Sequence, residues 1–432
     1  MNLMTLFIEL PRDLQYKISN YNPVVLFNLS TSEFIKYDWF KLIKMNFNLV
    51  YSRDEATNEQ MMEVYLYNCS LGARISCGRD HSVIRLKDGR VMVCGGNGKG
   101  QLGIECGGDV SLFSEIKGIP KNVREVICGE HHTFIILTDG TILGCGCNKF
   151  GQLGLGDNRD RNVFEEIRGI SKNISEVTCG NDHTFLRFND GSLMSSGSNE
   201  YGQLGLGDNL NRNEFKEIAQ IDRNVSKVTC GSIFTMIRLT DGTLLGCGFN
   251  GSRQLRIKDY KNGNLFVKIT AVPKNIVQVV CGGGHTIIRL TDGTLMSCGS
   301  NYDRQCGFSD LYQRVDFFTG ISGIPKNIVE VICGGYHSVI RLTDGTLMTC
   351  GHNASGQLGR GDSFNWGMLF EKIDGIPKNI SEIICGGSHT IIRLTDGTLM
   401  SCGSNTYGAL GLGDKKTRSF FNTITGIPKL SD

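Results

Sequence analysis

The chain has 432 residues and a formal net charge of +2, with six basic against eight acidic residues in 1–72 and 39 against 35 beyond. It therefore lacks the basic stripe or tail that nucleic-acid binding demands, and nucleic acid is not expected as the main partner. Glycine is abundant at 56 residues and proline scarce at 7, which excludes collagen and disordered Pro/Gly tracts and points to many tight turns between short strands.

No run is long and apolar enough to span a bilayer, so no membrane association is expected. Met1 to Leu10 carries Glu9 and no basic start, which argues against a signal peptide. The expected location is intracellular, cytoplasm or nucleus, and the 17 cysteines need another explanation than disulfides.

Residues 1–50 place Leu3, Leu6, Phe7, Leu10, Leu14, Ile18, Leu26, Leu29, Phe34, Ile35, Trp39, Leu42 and Ile43 largely three or four apart, the spacing of short amphipathic helices. Pro11 and Pro23 suit helix starts or breaks. The pattern Leu10-Pro11-x-Asp13-Leu14-x-x-x-Ile18, then Leu26-x-x-Leu29-Ser30, Phe34 and Trp39-x-x-Leu42, resembles an F-box, with Tyr21-Asn22 where that family usually has Tyr-Leu. The resemblance implies docking to the small adaptor of cullin-RING ubiquitin ligases through Leu10, Pro11, Asp13, Leu14, Ile18, Leu26, Leu29, Phe34 and Trp39. The same apolar spacing also suits a helical cap packed on the rest of the chain. Residues 51–72 read as a linker, with a helix over Thr57 to Tyr67.

From residue 73 onward a repeat takes over. Cys-Gly pairs begin at Cys77, Cys128, Cys179, Cys230, Cys281, Cys333 and Cys385, at spacings of 51, 51, 51, 51, 52 and 52 residues. Asp-Gly pairs from Asp88 to Asp396 keep the same spacings. Two markers in phase at a period near 50 signal a propeller or solenoid. In one unit, Asn275–Cys281 and His285–Thr291 read as strands. Asp292-Gly293 reads as a two-residue hairpin turn, Thr294–Ser300 as a third strand, and a Phe-x-x-Ile segment such as Phe370–Ile373 as an outer fourth. The fold class is all-β: a seven-bladed β-propeller of four-stranded blades over residues 73–432, preceded by a small α-helical module. The chain stops where an eighth first strand would begin, so Arg74–Cys77 is expected to complete the last blade, beside residues 396–424.

The unit Cys-Gly-x-x-His-Thr-x-x-x-x-x-Asp-Gly, followed by Cys-Gly-x-Asn-x-x-Gly-Gln-Leu-Gly-x-Gly-Asp, resembles the regulator-of-chromosome-condensation repeat, with clear instances at Cys179–Asp208 and Cys333–Asp362. The resemblance covers roughly residues 73–430 and implies a seven-bladed propeller.

Thirteen cysteines fall in two repeated seats, the Cys-Gly set and Cys94, Cys145, Cys247, Cys298, Cys350 and Cys402, with Ser196 in the gap. A small, readily buried thiol suits close blade packing, and paired Cys-x-x-Cys zinc spacing is absent, so no metal is expected. Histidine recurs at His81, His132, His183, His285, His337 and His389, with Phe234 in the fourth unit. Six equivalent copies argue for scaffold, each imidazole bonding a nearby turn backbone. Arginine recurs at Arg85, Arg187, Arg238, Arg289, Arg341 and Arg393, either as a basic ring or as stems packed between blades with locally bonded heads. Gly95-Gly-Asn-Gly-Lys-Gly100 imitates a phosphate loop but lacks the following helix, and no nucleophile–base set appears. The protein is therefore read as a non-enzyme without cofactor.

Two units keep their length but lose the loop sequence. Unit four reads Arg253-Gln-Leu-Arg256-Ile-Lys258-Asp-Tyr260; unit five has Arg304, Phe308, Tyr312 and Arg314. These residue types are enriched at tight interfaces, so Arg253, Arg256, Tyr260, Arg304, Phe308, Tyr312 and Arg314 form the expected patch for a target protein. Drift of two loops with inward aromatics is the alternative. The leading functional reading is a substrate receptor of a cullin-RING ligase, with the propeller holding the target. A guanine-nucleotide exchange factor or chromatin-binding propeller is the second, although no unit carries the long inserted wedge used for exchange in that family. A plain scaffold with a helical cap is the third.

Overall fold

The β-branched runs that open each unit, such as Ile276–Cys281, form the innermost strand of a blade, and three more antiparallel strands follow outward in sequence order. The computed structural model describes residues 10, 12–21, 26, 36–47, 53, 57–58, 61–62, 75–105, 107–255, 262–309, 313–363 and 366–428. Among them, 28 strands make seven four-stranded sheets. Blade 1 consists of β1 (Ile75–Cys77), β2 (His81–Arg85), β3 (Val91–Gly95) and β4 (Val110–Glu115), and blade 7 ends the series with Ile380–Cys385, His389–Leu394, Leu399–Gly403 and Arg418–Thr423.

The connection at the Asp-Gly pair differs from the expected two-residue turn. In blade 2 the strands His132–Leu137 and Ile142–Gly146 leave four residues between them. Only Gly140 takes a left-handed backbone, at φ 85°, and its amide donates to the Leu137 carbonyl at 3.0 Å. Asp139 instead accepts from the Thr141 amide at 2.9 Å and hydroxyl at 3.0 Å, the side-chain-to-backbone bonding that makes Asp a turn former without a positive φ. Lys172 from the next inter-blade connection reaches the same carboxylate at 3.1 Å.

The ring closes differently from the sequence expectation. Ile75 pairs with Ile84 inside blade 1, and blade 7 already owns four strands. Cys77 belongs to the first strand of the first unit, so seven units contain all 28 strands and none is missing. Closure uses the contacts of every other seam. Ser82 Oγ donates to the Ala409 carbonyl at 2.8 Å, and Gly387 N–H donates to the Gly78 carbonyl at 3.2 Å. Ile75, Ile84 and Phe113 pack in one apolar cluster with Ile391, Leu399 and Ile424. The rest of the core is built the same way, as clusters between adjacent sheets such as Phe134, Ile136, Leu186, Phe188 and Phe215 between blades 2 and 3.

In the N-terminal module, α1 (Arg12–Tyr21) and α2 (Trp39–Phe47) pack together. Asp38 caps α2 by accepting from the Lys41 amide at 3.3 Å, while its own amide donates to Tyr16 Oη at 2.8 Å. Trp39, Leu42 and Ile43 are wholly buried. The expected helix over 57–67 lies largely outside the described residues, apart from one helical bond of 3.1 Å from the Met61 amide to the Thr57 carbonyl.

Candidate partner-binding face

In every blade the connections after the first and third strands share one face, and those after the second and outer strands share the other. The first, the loop face, carries the Cys-Gly-x-x-His bend and the Asn-x-x-Gly-Gln-Leu-Gly loop; the second carries the Asp-Gly turns. Since β1 runs from the turn face to the loop face, the N-terminal module joins from the turn side.

The loop of each blade is latched by the next. Thr133 Oγ donates to the Gln101 carbonyl at 2.7 Å, and the Cys145 thiol donates to the same oxygen at 3.5 Å. Thr184 with Ser196, Thr286 with Cys298, and Thr390 with Cys402 repeat this on Gln152, Gln254 and Gln357. A hydroxyl that donates to a carbonyl must accept elsewhere, and it accepts from the preceding blade's histidine: His81 Nε2 lies 2.9 Å from Thr133 Oγ, and His285 Nε2 2.9 Å from Ser338 Oγ. His389 to Ser82, at 3.0 Å, carries the chain of bonds across the closure. The histidines thus serve the scaffold through a neighbouring hydroxyl, in place of the expected turn backbone. Burial pushes the His81, His132, His183, His285 and His337 imidazoles down to about 3, so they stay neutral. The glycine of Cys-Gly makes room for the ring: a Cβ on Gly78 would sit 2.1 Å from His81 Cε1.

Of the repeated arginines, Arg187, Arg238, Arg341 and Arg393 line a central channel of 1690 Å³. Arg187, Arg341 and Arg393 pair with Glu176, Glu330 and Glu382 at 3.0, 3.1 and 3.0 Å, and Arg238 Nη1 donates to the Ile276 carbonyl at 2.6 Å. The locally bonded reading holds here, and no bare basic ring forms. Met45 and Met62 of the N-terminal segment line the same channel. The fifteen described cysteines are free thiols, with burial pushing Cys128 and Cys230 up to about 12. Among the described residues no group of three or more His, Cys, Asp or Glu could hold a metal ion, and no helix is long and apolar enough to cross a membrane.

The expected target patch is only partly assembled. Arg256, Tyr260 and Tyr312 lie outside the described residues. Arg253 and Arg304 occupy the seat that is Gly151, Gly202, Gly356 or Gly408 elsewhere, at φ 65° and 64°. Arg314 is exposed and pairs with Asp316 at 3.1 Å. Phe308 turns inward against the cluster of Ile287, Ile321 and Phe370, so it serves the fold. In the outer strand Phe317 is 61% exposed while its neighbour Phe318 is buried.

Of the expected adaptor residues, Leu26 and Trp39 are wholly buried and build the module's own core, whereas Asp13 and Leu14 are exposed. Leu10 is half-buried, Ile18 lies in α1, and Pro11, Leu29 and Phe34 fall outside the described residues. The sequence reading missed the glutamine and the residues around it in blades 4 and 5. Loss of the polar residue after Cys-Gly at Phe249, beside a triple glycine at 282–284, was the available signal.

A closed ring of seven four-stranded blades with latched loops on one face defines a β-propeller. Residues 56–288 match the profile of the RCC1-like domain, and residues 276–305, 328–357 and 380–409 match the regulator of chromosome condensation repeat. The chain belongs to the RCC1-like domain family.

It is 28% identical over 294 residues to the ultraviolet-B receptor UVR8 of Arabidopsis thaliana, covering 67% of each chain. It is 30% identical over 292 residues to the probable E3 ubiquitin-protein ligase HERC6 of Homo sapiens, covering 64% of this chain but 28% of that protein. The human X-linked retinitis pigmentosa GTPase regulator is 28% identical over 326 residues, 74% of this chain and 32% of that one. The chain thus spans about a third or less of the last two. Human WBSCR16 superposes with a TM-score of 0.69 at 21% identity, covering 79% of this chain and 96% of that one. Yeast RCC1 (Prp20) bound to Kap60 gives 0.71 at 17% identity, covering 82% and 85%. Both likenesses speak for the fold alone.

Proposed function

We propose that the protein is a substrate receptor of a cullin-RING ubiquitin ligase: the N-terminal module docks the adaptor and the propeller's loop face holds the protein to be modified. The observation that carries this reading is the division of apolar residues in the module. Trp39, Leu42 and Ile43 close its core while Leu14, 43% exposed, and Asp13, which faces Lys41 of α2 at 3.5 Å, lie at the surface of α1. An apolar side chain left out of so small a core beside a charged one suits docking to another protein. The module also joins from the turn face, which leaves the opposite loops to a target. Human HERC6, of which this chain matches 28%, is named a probable E3 ubiquitin-protein ligase.

The test is co-purification. The full-length protein should capture a cullin adaptor, and Leu10→Ala with Leu14→Ala should reduce capture at least about tenfold, the loss of two apolar contacts, with the melting temperature unchanged. A wild-type protein that captures no adaptor overturns the reading, and capture of a small GTPase instead favours the exchange-factor alternative.

A further inference from the structure

The glutamine of the Asn-x-x-Gly-Gln-Leu-Gly loop obeys one rule in several blades and breaks it in blade 4. Its side-chain oxygen accepts the amide two residues earlier, as Gln152 does from Phe150 at 3.0 Å and Gln254 from Ser252 at 3.1 Å. That bond fixes the side-chain amide, so the NH2 group must find an acceptor. Two seats supply one. In blade 2, Gln152 Nε2 donates to Asp182 Oδ1 at 2.9 Å, the residue before the next blade's histidine. In blades 3, 5 and 6 the residue after Cys-Gly serves: Ser198 at 3.0 Å, Ser300 at 3.2 Å and His352 at 2.7 Å.

In blade 4 both seats have lost their polar group. The residue after Cys247-Gly248 is Phe249, whose ring folds over Gly251 and meets Tyr201 edge-on at 5.2 Å. The residue before His285 is Gly284. Gln254 is fully buried and its Nε2 has no hydrogen-bond partner among the described residues. A buried donor left without an acceptor is costly and calls for an explanation. The vacated seat at Gly284 is partly open to the surface and has room. A Cβ there would meet Ser300 Cβ at 3.4 Å and Ser252 Oγ at 3.9 Å, ordinary contacts on an ordinary backbone. Gly283 beside it has none, since its Cβ would lie 2.6 Å from the Gly335 carbonyl.

Charge says what fits the notch. The described residues beside it, 249–255 and 300–309, carry Arg253 and Arg304 against Asp303 alone. The bends before His81, His132 and His183 carry three acidic residues, Asp80, Glu130 and Asp182, against Arg79, whereas the bend before His285 carries none. We propose that the notch over blades 4 and 5 receives a carboxylate side chain from an acidic segment of a partner protein, which takes the seat Asp182 fills in blade 3. This rests on the reading that the propeller binds a protein through its loop face, and is independent of the adaptor.

The test uses the full-length protein and fluorescein-labelled hexaglutamate, with hexaglutamine and hexalysine for comparison, by fluorescence polarisation at low salt. Hexaglutamate should bind the wild type more tightly than the other two. Gln254→Glu keeps the bond to Ser252 but removes the donor, and Gly284→Asp fills the seat from within; each should weaken hexaglutamate about tenfold or more, the worth of one charge-assisted hydrogen bond. Gly284→Asp should also melt at or above the wild type, because Gln254 gains its partner. Should that variant fold poorly, Gln254→Glu carries the test alone. Hexaglutamate that does not bind, binds no better than hexalysine, or binds both variants like the wild type overturns the proposal. Loss of adaptor capture leaves these outcomes untouched.

Discussion

A buried imidazole that donates to the next blade's hydroxyl recurs six times, and it makes the ring sensitive to acid. In the fold these histidines titrate far below their ordinary value of 6.5: burial pushes five down to about 3 and His389 to about 4. An unfolded chain takes up those protons below 6.5 and the folded one does not, so stability falls as pH drops from 6.5 toward 4. Asp182 acts oppositely, because burial and then Glu130 push its carboxyl up to about 6, and burial also raises Asp80, Asp303 and Glu330, but the six histidines outnumber these four. The melting temperature should therefore fall steadily over that range. His285→Phe tests the latch directly, since Phe234 already fills the equivalent seat in blade 4. Losing one buried bond should cost about 1 kcal/mol, whereas His285→Ala, which also leaves a cavity, should cost about 3 kcal/mol by denaturant unfolding.

Loop and outer strand meet at a glycine in most seams. A Cβ on Gly151 would lie 2.2 Å from Asn213 Cα, and one on Gly154 2.3 Å from the Phe215 ring, so glycine there sets how closely consecutive blades approach. Arg253 and Arg304 break this rule with a left-handed backbone that a side chain disfavours by about 1–2 kcal/mol. Residues held in such conformations concentrate where function uses them. Arg253→Gly should raise the unfolding free energy by about 1 kcal/mol while weakening capture of an acidic peptide. A fall in stability would instead assign the arginine to packing between blades 4 and 5.

The whole ring is a set of equivalent seams, with no strand exchanged between first and last blade. Removing residues 1–72 should leave the melting temperature within a few degrees of the full chain while abolishing adaptor capture. Removing residues 1–77 deletes β1, exposes β2 and the apolar cluster of Ile84, Phe113 and Ile391, and should lower it far more. A seam of side-chain bonds also predicts that Ser82→Ala, which loses contacts to both His389 and Ala409, destabilises by about 1–3 kcal/mol despite lying at the chain's two ends.

Blade number, strand order within a blade and the scaffold role of the cysteines and histidines were legible in the chain, because each repeats six or seven times in phase with a turn marker and periodicity outvotes local ambiguity. The pairing of β1 was misjudged from that same pattern: counting Cys-Gly pairs without assigning the first to its own unit invents a missing strand. The turn at Asp139-Gly140 was misjudged because dipeptide signals do not reveal how many residues a carboxylate can bridge. What only the tertiary structure decided are the contacts one period away in sequence. His81 meets Thr133, Gln152 meets Asp182, and Gln254 Nε2 meets no acceptor among the described residues, because propeller packing brings side chains from neighbouring blades together across some thirty to fifty residues of chain. No local pattern can show that Gly284 leaves Gln254 without an acceptor; that follows only from the way the sheets stand face to face.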